Sequence, residues 1–524
     1  MVLKKNNRCS CFVILSCLAF LLTLSVFSFH SDAAEVSVKS VKIYGDYIRV
    51  TVSGKIKTDD GYYHLYLQEP YQSGVKGEEV AKMPAGKQST AIIPVNYNGT
   101  SLLFHKFQAV IRKEGTDWAV GYAKYISNPN EAATQTSKRI NDGKRGLLPD
   151  ASMMSGPELK DLGISQISYN MPIGAIANGT GISYQYRGKT YHFDKELISQ
   201  YDYLVPLMNK QNIGVTMILL NDLSADEGLV HPLARDHSEA HYYAFNVSEK
   251  YGLEEMEAVA TFLAKRYSGG KYGTIDNWIV GNEVNASKDW NYMDPAAGVD
   301  KYVREYVKAF RVFYTAIRST NANARVYISL DHAWTYSNAQ SGYYAGKSFL
   351  DKFAERMKQE GDVNWGVAIH PYNADMADSF ALTSTGASDS EESRYITMRN
   401  LDVFTSYMNT EDMLSPSGSC RSILCSEQGY SSGTTEQSQN EQAASVVYAY
   451  LKAKNNKDID GFILARETDH ADELADGLAY GLISASGAKK PAYSWYKNAD
   501  SASVQKQAAQ ILRIDSMQDA VSGG

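Results

Sequence analysis

The chain has 524 residues, of which 44% are hydrophobic and 21% are charged. This length and composition are typical of a globular protein with two or three domains. Acidic residues outnumber basic ones by 59 to 52, which gives a formal net charge of −7. The charge excludes nucleic acid as the expected partner, because phosphate binding requires a basic surface.

The first element is predicted to be a cleaved signal peptide over residues 1–33. Basic residues precede an apolar run over residues 11–29, and Ser31 and Ala33 are the small residues that a signal peptidase requires before its cleavage site. We therefore expect a secreted, extracellular bacterial protein. An uncleaved membrane anchor is the alternative, since the run is nearly long enough to span a bilayer. No later segment predicts a membrane span in the mature chain.

Residues 34–127 are predicted to form a small β-sandwich of the immunoglobulin-like kind. Apolar and polar residues alternate over residues 36–43 and 48–52, and clusters of turn residues separate such runs. This domain is interpreted as a sugar-binding module or a spacer. We favour the spacer, because the sequence does not locate an aromatic platform. The polar residues 128–143 that follow are predicted to be a linker.

Residues 144–502 alternate between strand and helix patterns, which indicates an α/β fold, the (β/α)₈ or TIM barrel. A C-terminal helix or tail is predicted over residues 503–524. The eight predicted barrel strands are Arg145–Leu148, Ile164–Asn170, Gly214–Asn221, Ile275–Glu283, Arg325–Asp331, Trp365–Tyr372, Ser422–Glu427 and Phe462–Arg466.

Two glutamates stand where predicted strands end, Glu283 on the fourth strand and Glu427 on the seventh. In a (β/α)₈ barrel the carboxyl ends of all strands meet at one rim, and catalytic residues come from several of them. A retaining glycosidase needs two such carboxylates, one as acid/base and one as nucleophile. The spacing therefore predicts a catalytic pair.

The sequences around these glutamates carry a resemblance to a known group. A strand followed by Gly281-Asn282-Glu283 and a later strand ending in Ser426-Glu427-Gln428-Gly429 resemble the motifs of clan A glycoside hydrolases, the retaining (β/α)₈ glycosidases. The segments 191–218 and 480–493 are also similar to barrel segments of that clan. More narrowly, the chain resembles an uncharacterised family of secreted bacterial barrel proteins.

The resemblance implies roles for five residues. Glu283 is expected to be the acid/base and Glu427 the nucleophile, while Asn282 is expected to donate a hydrogen bond to the sugar 2-hydroxyl. His370 and Tyr372 are expected to contact the sugar or to orient Glu427. The resulting prediction is a secreted retaining glycoside hydrolase that cleaves a poly- or oligosaccharide by double displacement. A non-catalytic carbohydrate-binding barrel and a transglycosidase are the alternatives.

Further rim residues are candidates for contact with the carbohydrate. Asn170 ends the second strand, and Trp290 and Trp334 follow the fourth and fifth strands, as stacking platforms or loop packing. The clan commonly has a tryptophan at the end of strand eight, where this chain has Arg466-Glu467. We hypothesise that Arg466 meets an acidic or modified sugar, or is paired with Glu467.

The insertion over residues 222–246 holds His231, Asp236, His237 and His241. Such residues are common metal ligands, but their spacing matches no established metal motif. A wall that contacts the substrate is the favoured interpretation. No metal and no cofactor are predicted.

Overall fold

The computed structural model describes residues 36–522, except Ser152, Asn178 and the segments 224–226 and 236–238. The predicted signal peptide, residues 1–33, lies outside the described residues. The described chain forms an all-β module followed by a closed parallel barrel, so the predicted fold class is confirmed.

The all-β module consists of two facing antiparallel sheets, ordered β1-β2-β5 and β4-β3-β8-β9, and a short β6-β7 pair. The alternation along each strand turns one face of each sheet inward, and both sheets contribute to one hydrophobic cluster that includes Val41, Val50 and Leu65. The strands are β1 (Ser37–Tyr44), β2 (Tyr47–Ser53), β3 (Tyr62–Gln68), β4 (Glu78–Pro84), β5 (Gln88–Pro94), β6 (Asn96–Tyr97), β7 (Thr100–Ser101), β8 (Lys106–Lys113) and β9 (Thr116–Lys124).

Eight further strands close the barrel, all paired in parallel, and two others form an antiparallel hairpin outside it. The barrel strands agree with the eight predicted ones, with bounds that differ by a few residues. The hairpin is formed by β12 (Gly181–Tyr186) and β13 (Lys189–Asp194). The barrel strands are β10 (Arg145–Leu147), β11 (Gln166–Pro172), β14 (Gly214–Leu220), β15 (Asn277–Val280), β16 (Arg325–Leu330), β17 (Gly366–Ile369), β18 (Ile423–Gln428) and β19 (Ile459–Leu464).

Helices cover the outside of the barrel. The helix over Val299–Arg318 shows why a helix packs there. Its apolar residues recur with the helical period and are buried against the sheet and neighbouring helices. The helices of the described chain are α1 (Glu158–Asp161), α2 (Ile173–Ala177), α3 (Lys195–Lys210), α4 (Lys250–Arg266), α5 (Ser287–Trp290), α6 (Val299–Arg318), α7 (Gly346–Gln359), α8 (Leu401–Met408), α9 (Glu436–Asn455), α10 (Ala471–Ala475), α11 (Pro491–Lys497), α12 (Ala502–Leu512) and α13 (Met517–Val521).

The inside of the barrel is packed rather than hollow. Ile218, Ile279, Tyr327, Leu424 and Ile463 come from five different strands and form one buried cluster. This apolar plug is the floor beneath the rim where the strands end.

The segment 128–143 is bound to the base of the barrel. Arg139 donates hydrogen bonds to the carbonyl oxygen of Asp276 at 2.7 Å and to the side chain of Asn277 at 2.9 Å. The Ile140 N–H donates to the Asp276 carboxylate at 2.9 Å. Polar composition predicts a linker. The structure adds that groups of this segment form hydrogen bonds with Asp276 and Asn277, where the chain enters β15.

The C-terminal segment is helical, as the pattern indicated. Ala508, Leu512, Met517 and Val521 are buried, and the last two helices pack against α9. Within the described part of the chain, no helix has the length and apolar character needed to span a membrane.

Candidate active site

Glu283 and Glu427 lie on the same rim of the barrel. Glu283 follows the carboxyl end of β15, and Glu427 is the penultimate residue of β18. The side chains are partly accessible, with exposed fractions of 16% and 24%. The sequence prediction that the fold brings these two carboxylates to one place therefore agrees with the geometry.

The backbone turns sharply after β15 to present Glu283. Gly281 has a φ of 76° and Glu283 a φ of 37°, both in the left-handed region that side chains other than hydrogen disfavour. The Glu283 N–H donates to Ser329 Oγ at 3.2 Å, which ties the turn to β16. A glutamate held at positive φ is a local strain of the kind found at functional sites.

A bulge in β18 presents Glu427. Cys425 pairs with Phe462 and Gln428 with Leu464, so β18 has one residue more than β19 between these pairs. Bulges re-aim side chains, and here two consecutive residues face one partner. Ser426 Oγ lies 2.9 Å and Glu427 Oε1 3.8 Å from His370 Nε2.

His370 connects the two glutamates. Its ring is fully buried, and Nδ1 lies 2.7 Å from Glu283 Oε1. The expectation that His370 contacts the sugar is wrong, because the buried ring has no free face. Its hydrogen-bond partner is Glu283 rather than Glu427, so it holds the expected acid/base and only faces the expected nucleophile.

The charges of the site shift several pKa values. Burial alone would lower the pKa of His370, but the charge of Glu427 and the hydrogen bond with Glu283 raise it above its usual value. Burial and the charge of Glu283 raise the pKa of Glu427, against the opposing effect of His370. The protonated form of this one imidazole is therefore stabilised by both carboxylates.

Asp331, the last residue of the fifth predicted strand, is a third carboxyl group of the site, for which the sequence predicted no catalytic role. It follows β16, and its carboxylate accepts hydrogen bonds from Asn285 and from the Ala333 N–H. Burial and the charge of Glu283 raise the pKa of Asp331 to about 7. Its position at the end of a predicted strand is the sequence feature that could have identified it as a site residue.

Asn282 and Asn170 differ in accessibility. Asn282 is buried, 7% exposed, and its Oδ1 has no hydrogen-bond partner among the described residues. Asn170 is exposed near the end of β11, two residues after Ser168, which faces the barrel interior. Asn170 is therefore accessible at the mouth of the barrel, and the predicted contact of Asn282 with a sugar stays a prediction.

Trp290 and Trp334, predicted alike, have different surroundings. Trp290 is half-buried and stacks with His241 and Tyr242 at ring distances of 4.9 Å and 6.1 Å. Tyr242 packs on the apolar plug, so the insertion forms one wall of the site. Trp334 is 1% exposed and packs edge-on against Phe404, so a stacking platform is wrong for this residue.

Tyr372 is nearly buried beside the expected nucleophile. Its ring centre lies 5.7 Å from that of Tyr480, which the sequence analysis did not name as a site residue. Burial, and after it the charge of Glu427, keeps the pKa of Tyr372 well above its usual value. The phenol is therefore a neutral hydrogen-bonding group next to Glu427.

Arg466 is paired, but not with Glu467. Its Nε and Nη2 both lie 2.6 Å from Glu473 Oε1 on α10. Glu467 is fully buried and accepts a hydrogen bond from the Asp150 N–H at 2.8 Å. The predicted pairing with Glu467 is wrong because Arg466 and Glu467, as neighbours at the end of a strand, face different surroundings.

The insertion provides no metal site within the described residues, where no group of three potential ligands is found. His231 accepts a hydrogen bond from the Leu233 N–H and lies 3.7 Å from Glu305. His241 stacks on Trp290. Asp236 and His237 lie outside the described residues.

Comparisons with known proteins give one family and several structures of similar fold. Residues 137–520 match the model of a family described as "Family of unknown function (DUF5722)". No curated protein matches the chain.

The similar solved structures are distant in sequence. A family 39 glycoside hydrolase from Bacteroides cellulosilyticus is 16% identical, with 86% of this chain and 78% of that chain covered and a TM-score of 0.46. The β-glycosidase from Thermosphaera aggregans is 13% identical, with coverages of 68% and 88% and a TM-score of 0.46. A β-glucosidase from Pyrococcus furiosus is 13% identical, with coverages of 69% and 88% and a TM-score of 0.45.

Proposed function

The chain belongs to a family of unknown function, DUF5722, and we propose that it is a secreted retaining glycoside hydrolase acting on a poly- or oligosaccharide. The observation that carries the proposal is the pair of rim carboxylates that face one buried imidazole. A double displacement needs two adjacent carboxyl groups with different protonation. The signal-peptide pattern of residues 1–33 supports the secretion part of the proposal.

In the first step, Glu427 attacks the anomeric carbon while Glu283 transfers its proton to the leaving oxygen. The glycosidic bond breaks, and an ester forms between the sugar and Glu427. In the second step, Glu283 removes a proton from water, and the water oxygen attacks the anomeric carbon and releases Glu427. The sugar leaves with its original anomeric configuration.

His370 fits this change of protonation at Glu283. When Glu283 is protonated, its hydroxyl donates to Nδ1 of a neutral imidazole, and the Nε2–H donates to Ser426 Oγ. Once Glu283 has given its proton to the leaving oxygen, the imidazole stays neutral and, as its Nδ1–H tautomer, donates to the ionised carboxylate over the same 2.7 Å contact, while Nε2 accepts from the Ser426 hydroxyl. The pair thus stabilises both protonation states that the two steps require.

Side chains of the rim supply the substrate contacts in this proposal. Asn170 offers an exposed amide group, the buried Asn282 has an unpartnered amide oxygen, and Trp290 with Tyr242 offers an aromatic wall. Tyr372 lies near enough to Glu427 for their charges to interact, and its neutral phenol is a donor that would favour the ionised carboxylate.

The proposal is tested by assaying residues 34–524 on a glycan panel with Glu283→Gln and Glu427→Gln. Each variant is expected to lose activity by about 1,000-fold or more, because each removes one chemical step. Glu467→Gln is the matched control, a buried glutamate of the same rim outside the pair, and it should retain activity.

Azide rescue then separates the two roles. With Glu283→Ala, azide should attack the glycosyl ester and give a product of retained configuration. With Glu427→Ala, azide should attack the substrate directly and give the inverted product. A glycan that binds wild type and variants equally without cleavage would contradict the proposal and favour the carbohydrate-binding barrel, and products formed only with added sugar acceptors would indicate a transglycosidase.

A further inference from the structure

The outer face of the β1-β2-β5 sheet presents large side chains to solvent, far along the chain from the barrel rim. Tyr44 is 51% exposed, Tyr47 53% and Ile92 63%. The sequence analysis favoured a spacer because no aromatic platform could be located in it. The pairing of the strands now shows which of these residues are neighbours.

Two rows of side chains cross this face. Lys42 of β1 is opposite Arg49 of β2, and Arg49 is opposite Ile92 of β5. In the next row, Tyr44 is opposite Tyr47. Opposite residues on one face have Cβ atoms about 5 Å apart, and successive rows lie about 7 Å apart. An aromatic row therefore adjoins a cationic row.

The two cations of this row have no acidic partner. Among the described residues, neither Lys42 nor Arg49 has an ion-pair partner, and β1, β2 and β5 contain no aspartate or glutamate. Like charges directly opposite each other destabilise a sheet, so the pair is a local cost in a chain whose net charge is −7. An anionic group between the two side chains would remove that cost.

The aromatic row is oriented by the same arginine. The Arg49 guanidinium lies over the Tyr44 ring, 4.5 Å from its centre, which fixes both side chains by a cation–π contact. The neighbouring ring of Tyr47 contributes exposed apolar surface in the same row. Such flat rings suit the face of a sugar ring.

We infer that this face, defined by Lys42, Tyr44, Tyr47, Arg49 and Ile92, binds an anionic polysaccharide. A carboxylated or sulfated sugar residue supplies both a ring for the tyrosines and, one row away, an anion for Lys42 and Arg49. Two cations are too few for a nucleic-acid site, which typically neutralises several phosphates. The surface is separate from the glutamate pair, so it would bind whether or not the barrel is catalytic.

The test measures binding of residues 34–524 to polygalacturonate and chondroitin sulfate, with β-glucan and galactan as neutral polymers, by affinity electrophoresis and calorimetry. One variant carries Lys42→Gln and Arg49→Gln, and a second carries Tyr44→Ala and Tyr47→Ala. The control carries Lys113→Gln and Trp118→Ala, an exposed cation and an exposed aromatic of the other sheet.

An anionic polymer should bind to wild type and control, and each of the first two variants should bind at least about tenfold more weakly. Loss of the Lys42 and Arg49 charges should change thermal stability little, because removal of their repulsion offsets loss of the cation–π contact with Tyr44. Binding should weaken as salt is raised.

Three results would overturn the inference. The first is that no anionic polymer binds. The second is binding that both variants retain, which would place the site elsewhere. The third is binding to DNA or to anionic lipid vesicles with equal strength and without need of the tyrosines, which would indicate a general polyanion surface.

Discussion

The proton on His370 decides how the two glutamates behave at the residue scale. The imidazole is fully buried, bonded to Glu283 at 2.7 Å and 3.8 Å from Glu427. A buried group that faces two carboxylates is stabilised in its charged form, which is why its pKa rises despite burial. In return, its charge lowers the pKa of Glu427, which burial raises.

The first prediction concerns pH. Under the proposed function Glu427 must be ionised, and its raised pKa places the acid limb of kcat/KM above the usual glutamate value of 4.5. His370→Asn removes the ring whose protonated form favours the ionised carboxylate, so the limb should move to higher pH. The measurement is kcat/KM against pH for the glycan that the panel identifies.

Ser426→Ala is the control for this experiment, because it removes a hydrogen bond to Nε2 and leaves the imidazole in place. Its acid limb should move less than that of His370→Asn. An acid limb that stays in place or moves to lower pH in His370→Asn would show that the imidazole charge does not act on the nucleophile.

A second prediction concerns Arg466. Because its guanidinium is held by Glu473 on α10, it does not offer a free cation to an acidic sugar. Arg466→Ala should lower activity on neutral and acidic glycosides by a similar factor, as the α10 loop loosens. Paired assays on glucosides and glucuronides measure this ratio, and Glu473→Gln serves as the matched variant. A selective loss on the acidic substrate would restore the acidic-sugar hypothesis.

At the scale of elements, the ends of β15 and β18 matter more than their lengths. Each strand departs from regular pairing where its glutamate begins, β15 by a turn through Gly281 and β18 by a bulge after Cys425. A regular strand would turn consecutive side chains to opposite faces. The bulge in β18 therefore allows Ser426 and Glu427 to face the same imidazole.

The third prediction tests the turn at Gly281. Gly281 has a φ of 76°, and a Cβ added there would lie 3.0 Å from Val284 Cγ1. Gly281→Ala should lower the free energy of unfolding by about 1–2 kcal/mol and reduce kcat, because the turn carries Glu283. Urea unfolding and kinetics measure the two effects.

Gly298→Ala is the matched control. Its φ is 75°, almost that of Gly281, but a Cβ there has no atom within 4 Å, and the residue is the N-cap of α6, outside the turn that carries Glu283. It should have a similar backbone cost and retain full activity. Equal losses of activity in both variants would mean that the turn does not position Glu283.

At the scale of the whole molecule, the hairpin β12–β13 joins the all-β module to the barrel. Arg187 at its tip lies 3.2 Å from Glu69 of the module and 3.2 Å from Glu257 of α4. Tyr186 donates to the same Glu257 at 2.7 Å. Glu257 is fully buried, and burial raises its pKa to about 8 although Arg187 opposes the shift.

The fourth prediction follows from this contact. Above pH 8, where Glu257 is ionised, Arg187→Ala leaves a buried charge without a counter-charge, which should cost about 3 kcal/mol of stability. The exposed Lys189 of the same hairpin pairs with Glu254, and Lys189→Ala should cost less than about 1 kcal/mol. Thermal unfolding compares the two.

The deficit of Arg187→Ala should be constant below pH 8 and grow above it. The folded pKa of Glu257 is about 8 and the ordinary value is 4.5, so the stability of wild type and variant falls alike between these two pH values. Above pH 8 the wild-type carboxyl group is ionised beside Arg187, whereas loss of that cation raises the pKa of Glu257 further, so only the variant continues to lose stability. A deficit that already grows between about pH 5 and pH 7 would show that Glu257 is ionised and paired at neutral pH.

Some of this arrangement was determined by the sequence alone. Strand and helix periods along residues 144–502 predict the barrel, and a parallel barrel brings every strand end to one rim. Glu283 and Glu427 therefore meet whatever the loops do. The repeating patterns are local, so a single sequence contains enough information to recognise them.

Other features were decided only by tertiary structure. Trp334 and Trp290 are both tryptophans in loops after strands, yet the first is buried against Phe404 and the second is half-buried on the wall of the site. Arg466 pairs with Glu473 and not with its neighbour, and Lys42 meets Arg49 only because β1 and β2 pair in that register. Partners of this kind depend on how loops and strands pack across the chain, and no local pattern of residues records that packing.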